Sequence, residues 1–176
     1  MALELHRKAL NIRCKFLGDN HPDTANSYTN IGYTYGELGD YKKALEYQQK
    51  GLAICRTLLG DDHPDTATSY NNIGYTYGEL GDGKKDLEYQ QMALGIRRAL
   101  LGDDHPDTIN SLFNLGVTYY QLGKFQIAMD VLQKVHRIER NAHPDSPMLK
   151  KIQNSLNVLR SKTKGFKGVP RKKMHR

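Results

Sequence analysis

The sequence predicts an all-α fold, an α-solenoid of antiparallel helix pairs. Three observations predict it. The tetrapeptide His-Pro-Asp-Thr begins at His21, His63 and His105, 42 residues apart, and a degraded copy, His143 to Ser146, follows after 38. A fixed period of this length marks a repeat array whose units bury their faces against their neighbours. Within a unit the pattern is helical: Tyr70, Ile73, Gly74 and Tyr77 stand at i, i+3, i+4 and i+7. Gly81-Asp82 then breaks one helix and offers the start of another.

The elements follow in chain order. Residues 2–17 align with the second helix of a unit, because Leu3 matches Leu45 and Leu87, and Leu17-Gly18 matches Leu59-Gly60. This opening half repeat has no first helix of its own. First (A) helices are expected over 22–37, 64–79 and 106–121, each opened by a proline whose missing N–H costs nothing in a first turn. Second (B) helices are expected over 41–59, 83–101 and 125–140; in the middle one Leu87, Gln91, Leu94 and Leu101 fall near one stripe. Leu149, Ile152, Leu156 and Leu159 give a closing helix over 146–161, and 162–176, with Gly165, Gly168 and Pro170 among basic residues, read as a disordered tail. The domain reading is a half repeat at 1–18, repeats at 19–60, 61–102 and 103–142, a closing helix within 143–161, and the tail at 162–176.

Composition narrows the class. Hydrophobic residues make up 38% of the chain, low for an enzyme core and suited to an extended array. No apolar run approaches the roughly 20 residues that span a bilayer, and the N-terminus has no signal-peptide core. A soluble, cytoplasmic protein is expected. The net charge of +7 belongs to the C-terminus: from Arg160 onward there are eight Lys/Arg and no acid, leaving 18 basic and 19 acidic residues in 1–159. Cys14 and Cys55 form no CxxC or Cys/His cluster, so neither a disulfide framework nor structural zinc is expected.

The run Tyr70, Ile73-Gly74, Tyr77, Leu80-Gly81 and Leu87 resembles the tetratricopeptide repeat. Its equivalents are Tyr28, Ile31, Gly32, Tyr35, Gly39 and Ala44, then Leu112, Leu115, Gly116, Tyr119, Gly123 and Ala128. The long period and the linker Gly-Asp-Asp-His-Pro-Asp-Thr are similar to the kinesin-light-chain-like subclass. The resemblance implies a right-handed superhelix with A helices lining a groove. The mid-helix glycines agree with it: each costs about 1 kcal/mol against alanine, which close packing by the B helix at Ala44 and Ala128 would justify. The second unit departs from the pattern, with Asp86 in the alanine slot and Gly83 where Tyr41 and Phe125 stand. A carboxylate there must stay wet or find a partner, so helix 83–101 is expected to be the softest B helix. Units 19–60 and 61–102 differ at ten positions, which makes drift after duplication the competing account.

Chemistry is harder to find. His-Pro-Asp is also the tripeptide of J-domain co-chaperones, but there it occurs once; here it recurs with the repeat, so its task is per unit. The loops Asp61-Asp62-His63 and Asp103-Asp104-His105 match neither an EF-hand nor a zinc spacing. There is no phosphate-binding glycine loop and no nucleophile elbow. No enzyme, cofactor or metal is expected.

The A helices carry the candidate site. Off their packing stripe lie Asn26, Thr29, Asn30 and Tyr33; Thr68, Asn71, Asn72 and Tyr75; and Asn110, Phe113, Asn114 and Val117. Asn30, Asn72 and Asn114 are one period apart. Family asparagines at this place commonly hold a ligand's backbone, and an amide suits that because it both donates and accepts. Tyrosine adds a flat amphipathic anchor. None of the A helices contains Lys or Arg. That disfavours the carboxylate clamp of the family's chaperone-binding members and the acidic peptides that kinesin light chains prefer. The expected function is a non-enzymatic scaffold holding an extended peptide or a partner helix in the groove. Two alternatives stand beside it. One is self-assembly, or membership of a longer array, through the uncovered opening helix. The other is contact with nucleic acid or anionic membrane through the tail, where Arg171-Lys172-Lys173 would also serve nuclear import.

Overall fold

The recurring tetrapeptide folds as a helix start in which each residue has one task. His21 Nδ1 accepts the Asp23 N–H at 3.1 Å, and His63 and His105 repeat the bond to Asp65 and Asp107 at 3.1 and 3.2 Å. Proline takes the first turn, and aspartate sits where the helix dipole favours negative charge. Thr24 and Thr66 donate to the Gly18 and Gly60 carbonyls at 2.8 Å, tying each A helix to the end of the helix before it. Those glycines have φ of +86° and +88°, a conformation that side chains with a Cβ rarely adopt.

In this computed structural model the described residues are 2–164, with side chains through 163. Among them there are eight helices and no strand: α1 (Ala2–Leu17), α2 (Pro22–Glu37), α3 (Tyr41–Leu59), α4 (Pro64–Glu79), α5 (Gly83–Leu101), α6 (Pro106–Gln121), α7 (Phe125–Ala142) and α8 (Pro147–Lys164). The last two differ from expectation. The α7 helix runs on to Ala142, its end held by the His143 N–H on the Glu139 carbonyl. Ser146, rather than beginning α8, caps it by accepting the Met148 N–H at 3.2 Å. The degraded tetrapeptide has thus changed tasks, its histidine closing one helix and its serine opening the next. Of the expected tail, 162–164 belong to α8; Arg171, Lys172 and Lys173 lie outside the described residues.

The chain forms two compact units, 1–111 and 112–176, with the division inside α6. In the first unit α2 pairs with α3 and α4 with α5, α3 packs on α4, and α1 packs on α2. Ile31, Ala44, Ala67, Ile73 and Ala93 are fully buried. Tyrosines fill each helix pair: Tyr35 stacks on Tyr47, and Tyr77 on Tyr89, both with ring centroids 5.5 Å apart. A methyl group on Gly32 would stand 3.0 Å from the Ala44 carbonyl and 2.7 Å from Gln48 Cγ, so the glycine is there for close approach. In α5 the buried amide is Gln90, not Gln91, which faces solvent, as does Leu101. The stripe turns that way because Gln90 lies in register with Gln48, which accepts the Thr76 hydroxyl at 2.8 Å. Asp86 is 3% exposed, its carboxylate set against Gly74 and Gly78 of α4.

In the second unit the atoms nearest a Cβ on Gly116 belong to Leu132 and Val131 of α7, and Ala128 is fully buried. The α7 and α8 helices pack together, burying Leu132, Val135, Ile152, Leu156 and Leu159.

Candidate functional site

In the first unit α2 and α4 lie side by side, which brings six of the expected site residues onto neighbouring helices. Asn26, Asn30 and Tyr33 of α2 are exposed, as are Thr68 and Tyr75 of α4, and Asn72 is half-buried. The positions recur because α2 and α4 share one sequence pattern and one packing stripe, so the same register faces outward in both. Asn110, at the start of α6, is also exposed.

Three positions behave differently. Thr29 faces its own B helix: a Cβ on Gly51 would lie 2.8 Å from its hydroxyl, which bonds the Ala25 carbonyl at 3.1 Å. Asn71 is half-buried, and its backbone carbonyl takes a long bond from Gln90 Nε2 at 3.5 Å. Phe113, in the second unit, is only 4% exposed, and Lys151 Nζ of α8 lies 4.8 Å from its ring centre. The closing helix covers this ring, so Phe113 is a packing residue, not an open groove aromatic. Asn114 and Val117 of that unit are half-buried.

The A helices of the first unit receive their cations from B-type helices. Arg97 of α5 donates to the Thr68 hydroxyl at 3.1 Å and the Ser111 hydroxyl at 2.6 Å. Its surroundings hold its pKa below the ordinary value through desolvation. Arg13 of α1 makes the matching bond to Ser27 at 2.7 Å. Inspection of the A helices alone misses both arginines. The signal was the register: Arg13 and Arg97 stand one period either side of Cys55. Burial, with a lesser opposing contribution from a hydrogen bond with Ser69, raises the Cys55 pKa.

At the other end of α2 and α4 the site is acidic. A hydrogen bond to Glu37 raises the Tyr33 pKa. Desolvation and then Glu79 raise that of Tyr75, and a hydrogen bond to Glu79 raises that of Tyr41 at the start of α3. The repeat-edge acids are engaged elsewhere, Asp61 by Arg56 and Asp103 by Arg98. Among the described residues no three His, Cys, Asp or Glu side chains gather as a metal site would. No described helix is long and apolar enough to cross a membrane.

A family model of the tetratricopeptide repeat matches residues 1–57, 38–85 and 87–141, and a second such model matches 66–107. The chain belongs to the tetratricopeptide-repeat family. Members of this family are in general scaffolds for protein–protein interaction and are typically non-enzymatic. No curated protein matches the sequence. Among solved structures, a kinesin-light-chain-like protein of Podosopora anserina with nearly identical TPR-like repeats is 20% identical, with a TM-score of 0.70 over 92% of this chain and 86% of that one. BtubC (BKLC) from P. vanneervenii is 21% identical, with a TM-score of 0.72 over 98% and 77%. The apo form of RapI is 22% identical, with a TM-score of 0.71 over 89% of this chain and 41% of that chain. At these identities the likeness establishes the fold, an all-α solenoid of the tetratricopeptide type.

Proposed function

We propose that this tetratricopeptide-repeat protein is a non-enzymatic scaffold that holds an extended peptide or a partner helix against the outward face of α2 and α4. The observation that carries the reading is the pairing of Asn30 and Asn72 at one register, flanked by the exposed rings of Tyr33 and Tyr75. Asparagine is a poor interior helix former, so its repetition on an outward face needs a reason outside the helix. An amide that both donates and accepts can hold a peptide backbone whatever its sequence. A peptide array probed with the wild type and with Asn30→Ala/Asn72→Ala tests it. Each lost hydrogen bond is worth about 0.5–1.5 kcal/mol, so the double variant should bind several-fold to about a hundredfold more weakly. Unchanged binding by a folded double variant would refute the groove.

A second reading rests on α1. Leu5, Ile12 and Phe16 are 60%, 57% and 75% exposed. Leu5 and Ile12 hold the registers of Tyr47 and Ile54 in α3, where Tyr47 stacks on Tyr35 and Ile54 packs with Ala25 and Tyr28 of α2. The face of α1 that an A-type helix would cover is therefore open, and a second copy of this chain or a further repeat would fit it.

A further inference from the structure

Within the first unit, the proposed groove ends in a chemistry that selects its occupant. Tyr33 and Tyr75 are 62% and 58% exposed, and each stands one turn before a glutamate, Glu37 or Glu79, on its own helix. Glu37 and Glu79 are themselves exposed, and their charges act on the phenols of Tyr33 and of Tyr75 and Tyr41. At i, i+4 spacing on one helix face, rings and anionic oxygens share one surface.

Other aromatic rings in the molecule already carry a cation. Lys43 lies 5.3 Å from the centre of Tyr35, Lys85 4.7 Å from Tyr77, and Lys50 5.3 Å from Tyr47. Among the described residues no lysine or arginine lies over Tyr33 or Tyr75, and α2 and α4 contain none of their own. Of the lysines that follow, Lys43 and Lys85 are bound to Asp40 and Asp82, and Lys42 and Lys84 are exposed. Arg97 meets α4 at Thr68, eleven residues from Glu79 and so about 16 Å away along the helix axis. An open aromatic face with a carboxylate beside it attracts an ammonium or guanidinium group twice, through the ring quadrupole and through a charge-assisted hydrogen bond.

We propose that this end of the groove takes lysine or arginine side chains from an extended partner segment. Their stems lie on Tyr33 and Tyr75 and their heads reach Glu37 and Glu79. The inference rests on the groove reading above, in which Asn30 and Asn72 hold the backbone of that segment.

The test uses the 176-residue chain with Lys167→Gln, Arg171→Gln, Lys172→Gln, Lys173→Gln and Arg176→Gln, so that these basic residues cannot compete. The probes are labelled peptides alternating serine with lysine, with glutamine or with glutamate, and fluorescence anisotropy is the readout. The lysine peptide should bind at least ~10-fold more tightly than the glutamine peptide, the scale of one charge-assisted bond, and the glutamate peptide should not bind. Glu37→Gln/Glu79→Gln and, separately, Tyr33→Ala/Tyr75→Ala should each erase that preference, whereas Glu46→Gln/Glu88→Gln on the B helices should leave it. Equal binding of the lysine and glutamine peptides, sensitive to Asn30→Ala/Asn72→Ala, would overturn this inference and leave the groove standing. Lysine-peptide binding indifferent to the Glu37/Glu79 and Tyr33/Tyr75 variants would overturn it as nonspecific adhesion. No binding of any probe would overturn both readings.

Discussion

Gly32 and Gly95 both lie inside helices, and their surroundings give them opposite signs. At Gly32 a Cβ would crowd Gln48, whose side chain is pinned by the Thr76 hydroxyl, and the Ala44 carbonyl, which is backbone and cannot swing away. Overpacking of this kind costs about 1–3 kcal/mol, against about 1 kcal/mol gained in helix propensity. Gly32→Ala is therefore expected to destabilise the chain by a net ~1 kcal/mol. At Gly95 nothing lies within 4 Å of a Cβ, so Gly95→Ala should stabilise by about 1 kcal/mol. Urea denaturation of the two variants checks both signs. The contrast also marks what sequence conveys at this scale. Gly32 was readable because it recurs with a B helix opposite it, whereas Phe113 looked like an open aromatic because nothing in its own helix announces the Lys151 that covers it.

Among the elements, α5 departs furthest from its sister. It begins at Gly83 where α3 begins at Tyr41, and it contains Gly95 where α3 has Ala53. Asp86 is buried where α3 has Ala44. The amide also changes: Gln48 Oε1 accepts a hydroxyl, while Gln90 Oε1 is buried with no hydrogen-bond partner among the described residues. Each glycine weakens a helix, and an unsatisfied buried oxygen costs about 1–3 kcal/mol. Hydrogen exchange is expected to be faster in α5 than in α3, and equal protection of the two would count against a soft helix. The helix limits were legible from the tetrapeptide and the Gly-Asp breaks. The extra turn of α7 and the serine cap of α8 were not, because the last repeat reuses its histidine and serine for different bonds.

For the whole molecule the open question is what covers α1. Sedimentation equilibrium across a dilution series decides between a self-assembling chain and one whose α1 face is left open. If two copies meet there, the mass rises with concentration, and Ile12→Asp/Phe16→Asp returns it to the monomer. Those side chains are more than half exposed, so the double variant should leave the fold intact. A monomer mass throughout would remove self-assembly through this face.

By itself the sequence determined the helices of the described residues, their pairing in the first unit and the family, because a fixed period repeats one set of local instructions: a histidine cap, a proline start, a glycine stop and a 3.6-residue stripe. It also placed Asn30, Tyr33, Asn72 and Tyr75 on an outward register, since any residue off the stripe of a half-buried helix must face away from its partner. Tertiary structure decided which outward positions stay open. It buried Phe113 under α8, turned Thr29 towards Gly51 and carried Arg97 from α5 to Thr68. These outcomes depend on which neighbouring helix arrives and how close it comes, and a single helix's periodicity does not encode that distance.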